Sequence, residues 1–476
     1  MSDYIVKGGP KGAPLIGSIK DIKGDPIHFV KDNSLKYGDI IPFNVMGGKV
    51  FQLNHPDLIL HVFKKNNKNY VKGSNHIRFE PVLGKGLFTS QGEKWKRDRK
   101  KIQPMFRADQ INGYYFDVVK EVSLKYRKRW LEFIEKDVNP INISNELSSL
   151  TTEIILKVIF GKGNLNDEQV LSMHNSYNYL IGYVRKQRLL PKVDFCRVFG
   201  TSKYKLFRKE INNVESIIYD LLQKYKNKKV HDKYNMLSLL IEAMKNDPDN
   251  WSEKDIRDHA ITMIFAGFET TSVLMQWIWY ALDKNPEVQK KLLNEVVTKV
   301  PKSLTDDVDS LSVGDVKDLP YLEVVLNETM RMYPSFWATL RTPLNDDYLG
   351  NIKIPAKSTI MLPQIAMHNN PRWWDSPDKF IPERFFDLDI SEMEGVFFPF
   401  SHGGRKCSGY RFAEMEAKVI FVILGSVFKV DILNKTSDDI AAGVSLKSKN
   451  PFIARITRRN NENKEPCANQ AERYAV

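Results

Sequence analysis

The sequence predicts a mainly α protein with a minor β part, and three stretches decide it. From about 92 to 300 apolar residues recur at helical spacing with few prolines, the pattern that lays one face of a helix on a core. Between 334 and 400 prolines return and β-branched runs appear, Ile352 to Ile354 and Thr359 to Leu362, which read as strand and loop. A last helix over about 411–427 is apolar on most sides and is expected to be buried.

In chain order, residues 9–50 begin rich in glycine and proline (Pro10, Pro14, Pro26) and then alternate apolar and polar, predicting an irregular lead-in followed by short strands. Asp247-Pro248-Asp249 breaks the helical region. Just beyond it, Ser252 with Asp255 three residues on resembles a capping box opening a long apolar helix to about 283. Another helix is expected over roughly 319–332, stopping before Pro334. From Thr457 the chain turns polar, so residues 1–456 are read as one domain and 457–476 as a flexible extension.

Composition narrows the function. At 476 residues, 42% hydrophobic and 27% charged, the chain is an ordinary globular protein rather than a disordered, collagenous or coiled-coil one. Lys and Arg number 71 against 58 Asp and Glu, a formal net charge of +13. That charge is spread along the chain without zinc-finger spacing or an RNA-recognition signature, so an acidic protein partner is expected and nucleic acid is not. Cys196, Cys407 and Cys467 are too few and too scattered for a disulfide framework or a four-ligand zinc site, which fits a reducing compartment. No run approaches the roughly 18 to 20 apolar residues of a spanning helix, and the first ten residues hold no signal-peptide core. A soluble, cytoplasmic monomer is expected, membrane-associated only if the natural chain carries an anchor ahead of Met1.

Residues 398–412 read Phe-Pro-Phe-Ser-His-Gly-Gly-Arg-Lys-Cys-Ser-Gly-Tyr-Arg-Phe. A lone cysteine is usually an inert apolar side chain. Cys407 instead sits among glycines and cations directly before a helix, where the first turn's free N–H groups, the positive dipole end and Arg405 favour a thiolate. In the long helix, Ala266-Gly267-Phe268-Glu269-Thr270-Thr271 places a hydroxyl that can bond back to the Ala266 carbonyl. Gly267 there would let a flat group approach the backbone, and an acid beside a hydroxyl suits proton transfer into an apolar cavity.

Phe400-x-x-Gly403-x-Arg405-x-Cys407-x-Gly409 resembles the heme-binding signature of the cytochrome P-450 superfamily, and the likeness runs from about residue 10 to 455. The resemblance implies a helical body around a buried heme b with small β-sheets, Cys407 as axial thiolate of the iron, and Phe400, Arg405 and Gly409 around the cofactor. It also implies that Thr270 hydrogen-bonds bound dioxygen while Glu269 relays protons. Glu328, Arg331 and Arg384 match a buried network supporting the cysteine loop. Trp95 and Arg99, at i and i+4, match the anchors of the heme propionates, joined by Arg341 and His402; where the family often has His before that Arg, this chain has Asp98. The segments Gly350 to Pro355 and His368-x-x-Pro371-x-x-Trp374-x-x-Pro377-x-x-Phe380 agree in spacing.

The activity so implied is a monooxygenase that takes O2 as co-substrate and a lipophilic small molecule such as a fatty acid, sterol or terpenoid. Nothing remains in the chain for a fused reductase, so NAD(P)H acts only indirectly, through a separate ferredoxin or flavodoxin-like donor. That donor is expected on a basic face of Lys94, Lys96, Arg97, Lys100, Lys101 and Lys406. Phe265, Ala266, Phe336, Trp337, Ala338 and the loop from Ile77 to Leu87 are the expected pocket walls. A heme-thiolate peroxygenase or isomerase, and a non-catalytic heme sensor, share the same resemblance.

Overall fold

A computed structural model describes residues 4–187, 200–227, 234–434 and 440–459. Cys196, Cys467 and residues 460–476 of the expected polar extension lie outside the described residues.

The lead-in holds the first correction. Pro26 opens a twelve-residue helix, α1 (Pro26–Tyr37), because Asp25 accepts from the N–H groups of Ile27 and His28 and proline lacks only a donor that the first helical position does not use. Strands begin after it, with the hairpin β1 (Ile40–Val45) and β2 (Gly48–Leu53). β3 (Tyr70–Val71) and α2 (Gly92–Ile102) follow, then α3 (Phe116–Glu135), β4 (Ile141–Asn142), α4 (Ile143–Phe160) and α5 (Asp167–Gln187). The helical region continues with α6 (Ser202–Lys226), α7 (Met236–Lys245), α8 (Glu253–Lys284) and α9 (Pro286–Lys299).

α8 organises the body. Both halves of its capping box are present, Ser252 accepting from the Asp255 N–H and Asp255 from the Ser252 N–H. Its 32 residues make a rod of about 48 Å at 1.5 Å per residue, apolar nearly all round and packed chiefly on α4. α10 (Pro320–Met332) lies against it and ends, as expected, before Pro334.

Beyond α10 the strands are β5 (Thr339–Pro343), β6 (Asp347–Leu349), β7 (Ile352–Ile354) and β8 (Thr359–Leu362). A five-stranded sheet in the order β1, β2, β8, β5, β3 is antiparallel except for the β2–β8 pair. The last helix lies where its apolar run places it. α11 (Tyr410–Ile420) continues into a wider helical turn over Phe421–Gly425, and β9 (Phe428–Ile432) starts just past the expected end. α11 turns Arg411 to the exterior while its inner face buries Phe412, Glu416 and Ala417. The hairpin β10 (Ile440–Ala442) and β11 (Leu446–Ser448) precedes β12 (Ile453–Arg458), which pairs with β4 and β9. Thr457 and Arg458 therefore belong to a strand, not to the polar extension.

One large hydrophobic cluster joins α3, α4, α8, α10 and α11, and a smaller one lies between α1 and the five-stranded sheet. Among the described residues no helix is long and apolar enough to cross a membrane.

Candidate active site

A cavity of about 380 Å³ opens between α8, β5, the segment ahead of α2 and the cysteine loop. Cys407, Phe400, Arg405, Gly409, Trp95, Arg99, Arg341, Thr270, Phe265, Ala266, Phe336, Trp337 and Ala338 all line it. Residues more than 300 positions apart in sequence thus meet at one site.

The loop that presents Cys407 is tied on every side. Gly403 has φ +67°, and a Cβ on it would fall 2.1 Å from the Phe63 carbonyl oxygen, so only glycine fits there. The Cys407 N–H donates to the Phe400 carbonyl at 3.0 Å, and Arg99 Nη2 donates to the Lys406 carbonyl at 2.8 Å. Behind the loop, Glu328 accepts from Arg331 Nε at 2.7 Å, Arg331 Nη2 at 2.9 Å, Arg384 Nε at 3.3 Å and the Ile381 N–H at 2.8 Å. Arg331 passes the connection on: its Nη1 donates to the His368 carbonyl, and His368 Nε2 accepts the Phe398 N–H at 3.0 Å. The thiol itself faces the cavity. Burial pushes it up, against the Gly409 N–H and the charges of Arg99 and Lys406. The Gly409 N–H, Arg99 and Lys406 are the groups here that favour a thiolate, and a metal held at Cys407 would favour it further.

Besides Lys406, which lies over the Tyr410 ring, four cations line the cavity: Lys72, Arg99, Arg341 and Arg405. Lys72 Nζ donates to the carbonyls of Leu87 (2.6 Å) and Phe88 (2.8 Å), and burial with three arginines nearby holds it well below the usual ammonium range. Arg341 lies over the Phe63 ring and Arg405 over the Trp95 ring. Burial and the neighbouring Arg405 push Arg341 down to about 9, and burial with Arg99 pushes Arg405 down to about 10. No carboxylate of the described residues pairs with any of the four, and Arg405 Nη1 and Ser401 Oγ are buried without a partner. Buried like charges left unpaired are expensive. The arrangement fits a flat ligand that brings two carboxylates to this edge and a thiolate-binding metal to Cys407, as heme does.

His402 is not part of that rim. Its Nε2 accepts the Gly395 N–H at 3.3 Å and its ring stands among Phe63 and Phe398, so it buttresses the loop from behind.

On the opposite wall Thr270 Oγ1 donates to the Ala266 carbonyl at 2.7 Å, the back-bond its spacing predicts. Gly267 also lines the cavity, and on its other side the space a side chain would fill is taken by Ile155 of α4, whose Cδ1 would lie 2.7 Å from a Cβ. Glu269, one position before Thr270 and so turned about 100° around the helix, points away from the cavity to Lys447 Nζ and Ser445 Oγ, both at 2.7 Å. The expected acid and hydroxyl pair is adjacent in sequence but faces two directions.

The walls are more aromatic than expected. Phe79 and Phe88 pack on Phe265 at 5.6 and 5.3 Å between centroids, and the Lys85 N–H donates to Asp258 of α8, fixing this segment. Ile77 is exposed. Asp98, the departure from the family pattern, is fully buried and joins α2 to α8: it accepts from Trp251 Nε1 at 3.0 Å and pairs with Lys94 and His259. Burial works to raise its pKa, but His259 and Lys94 prevail and hold it well below the usual carboxylate range. Lys94 and Lys101 are consequently not free for a partner, being paired with Asp98, Asp255 and Asp247, and Arg97 leans on Asp98. The basic face narrows to Lys96, itself beside Glu93, and the exposed Lys100, with Arg107 and Arg411 along a groove beside α2. Lys406 lies over the Tyr410 ring.

A cavity with a cysteine at one end, unpaired cations along its edge and apolar walls defines a heme-thiolate protein. Comparison with known proteins agrees: the Cytochrome P450 family profile matches residues 8–454, and the chain belongs to that family. It is 28% identical over 434 residues to Cytochrome P450 3A41 of Mus musculus, covering 86% of this chain and 82% of that one. Cytochrome P450 3A14 of Cavia porcellus is 26% identical over 477 residues, covering 95% and 91%. Putative cytochrome P450 132 of Mycobacterium tuberculosis is 24% identical over 434 residues, covering 87% and 89%. The protein is therefore a monooxygenase with heme b as cofactor, dioxygen as co-substrate and reducing equivalents from a partner.

Proposed function

We propose that the enzyme inserts one oxygen atom into a fatty acid, sterol or terpenoid-like molecule, with electrons from a separate acidic donor, ferredoxin or flavodoxin-like. The observation that carries this reading is the cavity wall: Phe79, Phe88, Phe265, Leu274 and Trp337 face the Cys407 end across an apolar space. When bound, heme activates dioxygen and transfers oxygen to carbon. In the proposal Cys407 holds the iron, while Trp95, Arg99, Arg341, Arg405 and Lys72 hold the propionates. Phe400 and Gly409 pack against the macrocycle. Thr270 places its hydroxyl at the oxygen side, and the aromatic walls orient the substrate and exclude water. Glu269 with the partly exposed Lys447 is the acid that connects this wall to solvent. The balance is one C–H bond, O2, two electrons and two protons in, one C–OH and one water out. The donor docks on the α2 side through Lys96 and Lys100, with Arg97, Lys101 and Lys406 contributing charge behind them. We read the working unit as a monomer whose catalytic domain ends with β12.

The test is the carbon monoxide difference spectrum of the dithionite-reduced protein. A strongly red-shifted band that disappears in Cys407→Ala is expected, followed by spin-state shifts on titration with fatty acids, sterols and terpenoids. Turnover with peroxide but not with an electron donor would move the reading to a peroxygenase or isomerase. Heme binding without turnover of any kind would leave a sensor.

A further inference from the structure

α8 carries two adjacent hydroxyls that line the cavity, and the structure treats them differently. Thr270 gives its hydrogen to the Ala266 carbonyl. Thr271 makes no such back-bond: its Oγ1 lies 2.9 Å from Oε2 of Glu416 on α11. Glu416 is 1% exposed, and its other oxygen, Oε1, is buried with no partner. The charged groups near it in sequence are engaged elsewhere on α11, with Lys418 paired to Glu323 and Glu414 facing Lys406, Arg411 and Glu323. From α8 it meets Thr271, and no charged side chain of the described residues pairs with it.

A carboxylate in that position would have one hydrogen bond and no cation, a state less favourable than the neutral acid. Burial pushes Glu416 up to about 8, with the Thr271 hydroxyl opposing. As a neutral acid Glu416 has one O–H to give, and the oxygen within reach is Thr271 Oγ1. Giving it there frees the Thr271 hydrogen to turn into the cavity. Glu269 is placed otherwise, since its carboxylate is occupied by Lys447 and Ser445 and faces away.

We propose that Glu416 is a proton-holding residue for oxygen reduction, acting through Thr271 as a second relay beside Thr270. This rests on the cavity being a site of dioxygen reduction. In each turnover the partner supplies two electrons, and two protons are consumed. The Glu416 O–H bond breaks as Thr271 Oγ1 takes its proton, and the proton Thr271 releases joins the oxygen atom that leaves as water. Glu416, left as carboxylate, regains a proton from solvent before the next turnover. The relay is full below pH 8 and empties above it.

Infrared difference spectroscopy of the heme-loaded protein between pH 6 and 10 tests the protonation. A protonated-carboxyl band that titrates near pH 8 and is missing in Glu416→Gln is expected; its absence from the parent at pH 7 overturns the proposal. Turnover then tests the relay. Glu416→Gln and Thr271→Val should each divert several-fold more electrons to peroxide with KM unchanged, and each should flatten the alkaline limb of kcat, the double variant adding nothing further. Full coupling with an unchanged alkaline limb in Thr271→Val, which keeps the carboxyl and folds irrespective of Glu416, overturns it. A parent lacking the red-shifted carbon monoxide band brings down the monooxygenase reading and the relay with it, while the infrared band separately decides the state of Glu416.

Discussion

Two groups of buried charge lie on either side of the cysteine loop, and they are built on opposite plans. Behind the loop, Glu328, Arg331 and Arg384 satisfy one another and the surrounding carbonyls, so that region is complete in the polypeptide alone. Along the cavity edge, Lys72, Arg99, Arg341 and Arg405 have carbonyls and rings for company but no carboxylate. The first group is scaffold, and the second is a receptor whose counter-charge arrives with the cofactor. Breaking a completed pair should cost folding energy; removing a receptor cation should cost cofactor affinity and relieve the free protein.

The largest effect is expected from Glu328→Ala, which strands two arginines. The denaturation midpoint of the heme-free protein should fall by an amount equivalent to roughly 3 to 5 kcal/mol, and a loss below about 1 kcal/mol would place the network among exposed ion pairs. Next comes Arg405→Ala. Losing a charge-assisted contact of about 1.5 to 3 kcal/mol should weaken heme retention about tenfold to hundredfold, with the heme-free protein as stable as before or more so. Equal destabilisation of both forms would erase the distinction between scaffold and receptor.

A third test probes the joint between the two groups. His368 is pushed down to about 3 by burial, opposed by its hydrogen bond to the Met330 carbonyl and assisted by the charge of Arg331. Its folded pKa lies below the unfolded value of about 6.5, so the stability it contributes is complete above that value and is lost as pH falls toward 3. Between pH 7 and 5 the loss should be roughly 2 kcal/mol, read as a falling urea midpoint and largely absent in His368→Gln. The smallest effect belongs to the surface. Lys100→Glu should weaken donor binding by less than about 1 kcal/mol, more at low salt than at high; no salt-dependent change in the donor KM would move the docking face elsewhere.

Much of this was legible in the chain because the motifs are local. The cysteine loop, the Ala266 to Thr271 turn and the Ser252 cap each require a few neighbouring residues of fixed chemistry, and each appears where its spacing places it. What was missed is tertiary. Lys72 carries no motif, and only the fold brings it beside arginines from α2, β5 and the cysteine loop. Asp98 stood only as a departure from the family pattern because its partners, Trp251 and His259, lie more than 150 residues on. His402 was given to the cofactor by its place in the loop, whereas the backbone turn at Gly403 sends it toward Gly395. Pro26 was counted with the irregular lead-in although Asp25 before it is a helix cap. The narrowing of the basic face came from Asp247 on the segment before α8 and Asp255 in the first turn of α8, acids that a reading of α2 alone does not show.

The hairpin of β10 and β11 has a consequence for biosynthesis. Trp277 and Trp337 both donate to its carbonyls, at Leu446 and Gly443; Ser445 and Lys447 hold Glu269; and Gly443 and Val444 form part of the cavity wall. β12, just after it, pairs with β4, laid down some 300 residues earlier. A ribosome that has already delivered the cysteine loop has still not delivered the pieces that close the site. Until they emerge, an apolar cleft and a row of uncompensated cations stand open to water, so the nascent chain passes through a window in which chaperones can hold it and cofactor can enter without prising anything apart.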